Sequence, residues 1–272
     1  MHVLDAGPDV ASGLPLLDIS QLEVTYNGVA IAVQGVSMLV RPGAVVVLLG
    51  RNGAGKTTTL RAATGFLPID AAKITDGEIR FDGQRIDGKE PHKIAQLGMA
   101  LIPEREKIFR TLTVEENFRM VPMRRPKERQ ELMTFISDLF PNLQRRWRAT
   151  AGYLSGGEIQ MLAIAKTLLL QPRLLLPDEV SLGIAPSLVE TLMTALRRIN
   201  RDTGMAIMMA EQNAAVALEI SDYAYVMEGG SIAFEGTPSQ LMSNETLKDL
   251  YLGLGQTGTY AEAGRHGRRG RS

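Results

Sequence analysis

With 272 residues, 44% hydrophobic and 22% charged, the chain has ample material for a buried core, as one large α/β domain or two small ones. Its 30 basic and 30 acidic residues balance, so it lacks the positive surplus from which a dedicated nucleic-acid binder draws affinity. It has no cysteine, which excludes disulfides, zinc–thiolate sites and cysteine nucleophiles, and no apolar run approaches the ~18 residues of a membrane helix.

Met1 to Ser12 carries acidic residues and no basic n-region, so residues 1–13 read as a flexible leader rather than a signal peptide. From Leu16 to Val40, β-branched and apolar runs with turns at Tyr26-Asn27-Gly28 and Arg41-Pro42-Gly43 predict strands. The apolar run Val45 to Leu49 then leads into Gly50-Arg51-Asn52-Gly53-Ala54-Gly55-Lys56-Thr57, and a helical stretch follows from Thr57 to Ala63. Strand, Gly-x4-Gly-Lys-Thr and helix in that order form a P-loop. Its glycines let backbone N–H groups turn toward one point, and the helix N-terminus adds positive potential, which makes an anion cradle. Lys56 would reach the β- and γ-phosphates, and the Thr57 hydroxyl would ligate Mg²⁺.

A hairpin-like unit surrounds Gly77 to Gly83, and the texture turns helical from Thr113 to about Lys166. Thr113-Val114-Glu115-Glu116 fits a capping box, and Arg124 to Phe140 spaces Leu132, Phe135, Ile136 and Leu139 along one helix face before Pro141. This segment reads as a helical subdomain, about 105–165, inserted into an α/β core. Leu154-Ser155-Gly156-Gly157-Glu158 also fits a capping box, although capping alone does not require two glycines. Leu174-Leu175-Leu176-Pro177-Asp178-Glu179 has the form of a Walker B element: Asp178 would hold Mg²⁺ and Glu179 would polarise the attacking water. Ala206 to Ala210 reads as a second buried strand, Tyr223 to Glu235 as a hairpin, and Thr237-Pro238 as a helix start. The glycine-rich basic tail, 255–272, reads as disordered.

A P-loop, then Leu-Ser-Gly-Gly-Glu after a helical insertion, then Walker B, resembles the ATP-binding cassettes of ABC transporters over about Leu14 to Gly253. The resemblance implies an α/β P-loop NTPase cassette, residues 14–254, with an N-terminal antiparallel β subdomain and an inserted helical subdomain. It implies ATP and Mg²⁺ as cofactors, with phosphate held by Gly50, Arg51, Asn52, Gly53, Ala54, Gly55, Lys56, Thr57 and Thr58. It further implies that Ser155, Gly156 and Gly157 close over the γ-phosphate bound by a second cassette, and that Tyr26 stacks on adenine. An ordinary strand tyrosine is the alternative for Tyr26. Glu104, in Ile102-Pro103-Glu104, stands where many cassettes have a metal-sensing glutamine, and a salt bridge to a nearby base is its alternative.

Leu112 to Asn117, Ser181 to Pro186, Glu211-Gln212-Asn213 and Tyr251-Leu252-Gly253 resemble the second ATPase subunit of branched-chain amino-acid importers, and urea or amide importer subunits look similar. The partners implied are a second cassette (a nonidentical paralogue or a second copy), transmembrane permease subunits met by Glu104 and residues 105–118, and indirectly an extracytoplasmic solute-binding protein. The expected location is peripheral, on the cytoplasmic face of the cell membrane, with no nucleic acid bound. The rivals are a non-transport cassette protein and a regulatory cassette with weak turnover.

Four positions depart from the pattern. Gln212 stands where a switch histidine is expected; it can sense γ-phosphate through hydrogen bonds but cannot carry charge. Arg105 replaces a glycine usual beside Glu104. Pro177 removes a backbone donor just before Asp178 and is expected to disturb that carboxylate, while Val180 replaces the proline usual after the glutamate.

Overall fold

The computed structural model describes residues 13–105, 107–122 and 126–243. The leader up to residue 12, the markers at Tyr251 to Gly253 and the basic tail lie outside the described residues.

The strands are β1 (Leu17–Tyr26), β2 (Ala30–Val40), β3 (Val45–Leu49), β4 (Ala72–Phe81), β5 (Gln84–Arg85), β6 (Met99–Ile102), β7 (Leu174–Pro177), β8 (Ala206–Glu211), β9 (Tyr223–Glu228) and β10 (Ser231–Gly236). The α-helices are α1 (Lys56–Thr64), α2 (Pro91–Gln96), α3 (Val114–Arg119), α4 (Pro126–Leu139), α5 (Pro141–Arg145), α6 (Gly156–Leu168), α7 (Pro186–Thr203), α8 (Ala214–Ile220) and α9 (Pro238–Ser243). One sheet is antiparallel in the order β2-β1-β4-β5, and the other runs β10-β9-β3-β8-β7-β6. Within the second sheet β9, β3, β8, β7 and β6 are mutually parallel, and β10 pairs antiparallel at its edge.

Strand β3 shows why this sheet is central. All five of its residues are apolar and buried, as a strand covered on both faces must be. Its side chains alternate between two cores: Val45, Val47 and Leu49 pack with α6 and α7, while Val46 and Leu48 pack with α1 and the antiparallel sheet. Helix α3 and the segment through α5 join the first core through Phe118, Ile136, Phe140 and Leu143, so the inserted segment rests on the same sheet face as α6 and α7. Helix α7 buries Val189, Leu192, Met193, Leu196 and Ile199, starts at Pro186 and ends on Gly204 in the left-handed region.

Both expected capping boxes are formed. Thr113 Oγ1 accepts from the Glu116 N–H at 3.2 Å, and Ser155 Oγ accepts from the Glu158 N–H at 3.3 Å. The hairpin expected over Gly77 to Gly83 is formed by β4, which turns at Asp82-Gly83 into antiparallel β5. Gly77 lies at φ 87°, where a Cβ would meet the Gln21 carbonyl at 2.4 Å, so it fits a shift in the β1–β4 register rather than a turn.

The disturbance expected from Pro177 does not reach Asp178. The Asp178 N–H donates to the Ile102 carbonyl of β6 at 2.9 Å, and the Glu179 N–H donates to Ala210 of β8 at 2.9 Å. Backbone donors alternate along a strand, so the nitrogen of Pro177 faces β8. There the ladder is interrupted between Leu175↔Ile207 and the bridge Asp178↔Ala210, while the register is unchanged on either side. The proline costs one ladder bond to Met208 and no geometry at the carboxylate. Replacing Pro177 with Val is therefore expected to leave stability unchanged or raise it by about 1 kcal/mol in urea unfolding, with a loss of more than that contradicting the account.

Candidate nucleotide site

The loop Gly50 to Gly55 follows β3 and is shaped by close backbone approach. A Cβ on Gly50 would lie 2.5 Å from the Met227 carbonyl, and one on Gly55, at φ 105°, would lie 2.6 Å from the Ala32 carbonyl. The Ala54 carbonyl accepts from the Gly230 N–H at 3.1 Å, which ties the loop to the β9–β10 turn. Arg51, Asn52 and Gly53 are exposed, and Ala54 is buried.

Lys56 opens α1 and is turned back into its own loop. Its ammonium donates to the carbonyls of Gly50 (2.9 Å) and Arg51 (3.2 Å) and pairs with Glu179 Oε1 at 3.0 Å. The side chain is 3% exposed, so this set of acceptors is what makes a buried ammonium tolerable. The next residue, Thr57, donates through Oγ1 to Asp178 Oδ1 at 3.1 Å. Four residues from the two motifs thus meet in one cluster, at the carboxyl end of the parallel strands where open α/β sheets bind ligands.

Burial pushes the Asp178 carboxyl up to about 6, against the lowering effect of the Thr57 hydrogen bond, with Glu179 and Glu104 adding like charge. A desolvated carboxylate beside a hydroxyl oxygen suits a hard cation such as Mg²⁺. Among the described residues no three acidic or histidine side chains converge into a protein-only cage. Thr57 and Asp178 in contact offer the one or two protein oxygens that Mg²⁺ takes at nucleotide sites beside phosphate and water.

The other expected residues are placed as follows. Glu104 is half-buried, close enough to Asp178 to raise its pKa, and paired with Arg105 at 3.3 Å, the salt bridge weighed as the alternative. Tyr26 ends β1, half-buried, with its hydroxyl 3.1 Å from Thr58 Oγ1. The Tyr26 ring is partly buried against the second core. Gln212 is exposed just past β8. Ser155 caps α6, exposed, bonded to Glu158. A Cβ on Gly157 would meet Leu188 Cδ1 of α7 at 2.6 Å, and one on Gly156 would meet Ile184 at 3.2 Å. Leu188 of α7 and Ile184 just before it thus crowd these two glycines, a constraint that capping alone does not supply.

Two neighbours of the cluster carry chemistry that motif reading passed over. Lys107 donates to Gln160 of α6 at 2.8 Å; burial lowers its pKa to about 8, opposed by the nearby charges of Glu104, Asp178 and Glu211. Glu211, the last residue of β8, is 1% exposed and accepts from Ser181 through N–H and Oγ. Its carboxyl is pushed up to about 7, chiefly by burial, with the Ser181 hydrogen bonds lowering it and Glu179 raising it. The signal available in sequence was an acidic residue closing an apolar run, which does not reveal how deeply it is buried.

A P-loop on a parallel sheet, with its lysine and threonine contacting a paired acidic motif at the next strand but one, defines a P-loop nucleotide-binding protein. The family model described as ABC transporter matches residues 33–181. The chain is 38% identical to the high-affinity branched-chain amino acid transport ATP-binding protein BraG of Pseudomonas aeruginosa, over 84% of this chain and 96% of that one. It is 33% identical to the probable branched-chain amino acid transport ATP-binding protein LivF of Archaeoglobus fulgidus, over 79% and 89%. It is also 32% identical to the lipopolysaccharide export system ATP-binding protein LptB of Haemophilus influenzae, over 88% and 98%. The crystal structure of the ADP conformation of MJ1267, an ATP-binding cassette of an ABC transporter, superposes with a TM-score of 0.73 at 25% identity, covering 89% of this chain and all of that one.

The chain belongs to the ABC transporter family, as an ATP-hydrolysing cassette subunit of a transporter. Among the described residues no helix is long and apolar enough to cross a membrane.

The buried carboxyl of Glu211 makes the fold pH-sensitive. Its folded pKa of about 7 exceeds the ordinary 4.5, so the folded chain holds a proton that the unfolded chain has released. The resulting stabilisation is complete below about pH 4.5 and is lost as pH rises through about 7, amounting to roughly 3 kcal/mol at most. From pH 4.5 to 8, urea unfolding should show Glu211→Gln gaining on the wild type by up to that amount, and parallel profiles would refute the assignment.

Proposed function

We propose that this chain is the ATPase subunit of a branched-chain amino-acid importer, with one half of its nucleotide site built from Lys56, Thr57, Asp178 and Glu179. The observation that carries the hydrolytic reading is the 3.0 Å ion pair between Lys56 and Glu179, with Thr57 and Asp178 in contact beside it. A lysine that binds phosphate and a carboxylate that activates water are here a single coupled unit. Bound ATP supplies phosphate oxygens that compete for the Lys56 ammonium, and as Lys56 shifts to them the Glu179 carboxylate loses its counter-ion and is free to accept a hydrogen bond from the attacking water. A positioned general base contributes roughly 10²–10⁴-fold. Mg²⁺, when bound, neutralises phosphate charge, and Thr57 and Asp178 are the residues that would hold it, with Glu104 nearby.

Gly50 to Thr58 form the phosphate cradle. Ser155, Gly156 and Gly157 act on the nucleotide of a partner cassette, and Gln212 senses its γ-phosphate by hydrogen bonding. Tyr26 serves the adenine side. Pseudomonas aeruginosa has two differently named branched-chain amino acid transport ATP-binding proteins similar to this chain, BraG at 38% and BraF at 30% identity, which supports a nonidentical partner cassette. Permease subunits met by Glu104 and residues 105–118 complete the complex at the inner face of the membrane.

The solute is supported by the likeness to BraG and LivF, and the likeness to LptB favours an export reading as the second possibility. In a strain lacking this gene, uptake of leucine, isoleucine and valine should fall and urea uptake should not; intact amino-acid uptake would overturn the solute. In the assembled complex, Glu179→Gln should abolish steady-state phosphate release while retaining ATP binding, and an unchanged rate would remove Glu179 as the base.

A further inference from the structure

Glu179 has an unusual backbone. Its φ is 49°, in the left-handed region that non-glycine residues rarely occupy. Such a conformation persists only where the surroundings hold it from several sides, and here the holding groups can be named. The Glu179 N–H donates to the Ala210 carbonyl at 2.9 Å. Two residues on, Ser181 donates from its N–H to Glu211 Oε1 at 3.1 Å and from its hydroxyl to Glu211 Oε2. Val180, between them, is fully buried. Consecutive residues of β8 therefore grip both sides of the turn that carries Glu179.

Strand β8 lies between β3, which leads into the phosphate loop, and β7, which leads into Asp178 and Glu179. Glu211 pairs in register with Leu49, the residue before Gly50. A grip on residues 179–181 from this strand thus fixes the acidic turn relative to the loop that holds Lys56. Two donors from one serine need two acceptors in a plane, which a carboxylate offers and an amide offers only by reversing one bond.

We infer that Glu211 is a positioning residue for ATP hydrolysis: by accepting both donors of Ser181 it keeps Glu179 in the left-handed turn that aims its carboxylate at the phosphate loop. The inference rests on Glu179 being the base. Glu211 itself is buried, and both of its carboxyl oxygens are engaged by Ser181. Its contribution is geometric, so it should appear in the chemical step and not in nucleotide affinity.

The test uses the full chain assembled with its membrane partner subunits, comparing Glu211→Leu, Glu211→Gln, Ser181→Ala and Glu179→Gln. Steady-state phosphate release gives kcat and KM for MgATP, calorimetry gives MgATP affinity, and thermal melts report folding. Glu211→Leu should lower kcat about 10- to 100-fold, the loss a misplacement of about 1 Å costs, with KM and affinity within about threefold. Glu211→Gln, which keeps one bond and reverses the other, should recover most of the rate. Ser181→Ala, which removes only the hydroxyl donor, should lose about three- to tenfold and serves if the leucine variant does not fold.

Wild-type kcat in both Glu211→Leu and Ser181→Ala would overturn the inference. So would kcat, affinity and melting temperature falling together without rescue by Gln, the pattern of a merely structural residue. Full turnover by Glu179→Gln removes the base assignment and this inference with it, a signature distinct from failure at Glu211 alone.

Discussion

The site depends on one buried ammonium. Lys56 must satisfy its charge without water, and it does so on the carbonyls of Gly50 and Arg51 and on the carboxylate of Glu179. Those partners come from ends of two different strands, so the contact forms only if β3 and β7 sit in one sheet with β8 between them. The glycines at 50 and 55 belong to the same constraint: they let the loop press against Met227 and Ala32, which turns its carbonyls back toward the lysine. The doubly covered parallel sheet supplies the rigidity that such a contact needs.

This arrangement gives the site an inward balance. The acceptors of Lys56 are weaker or more local than a polyphosphate, and Asp178 and Glu211 carry raised pKa values because burial disfavours their charges. The charges of the cluster are thus held at the cost of desolvation: Arg61 and Lys56 offset part of it at Asp178 and Glu211, and Lys107 is itself pressed toward neutrality by burial. A nucleotide with its metal would offer these buried groups opposite charges of both signs. Stability is given up locally so that binding can restore it.

Much of this was legible in the residues because the chemistry is local. The P-loop and Walker B motifs are contiguous, and the two capping boxes lie within four residues each, so sequence specified their geometry directly. The antiparallel strands ahead of the loop and the inserted helices followed from periodicity and turns. Strand β6 and helix α2 were not visible as elements, being too short for a period to emerge, and the register shift that Gly77 serves depends on its partner strand β1. Tertiary contacts were legible least. The reason for Gly157 is Leu188 on a distant helix, Glu211 looks like a surface acid until Ser181 closes over it, and the missing donor of Pro177 proved harmless because of which neighbouring strand it faces.

The central claim is that ATP must draw Lys56 away from Glu179, so the ion pair opposes binding. The direct measurement is calorimetric MgATP affinity of the full chain, wild type against Glu179→Gln, at low salt. Removing the competing charge should tighten binding by about five- to thirtyfold, the equivalent of one charge-assisted contact worth about 1–2 kcal/mol. Equal or weaker binding by the variant would show that the pair does not stand between the lysine and its phosphate, and would contradict the account.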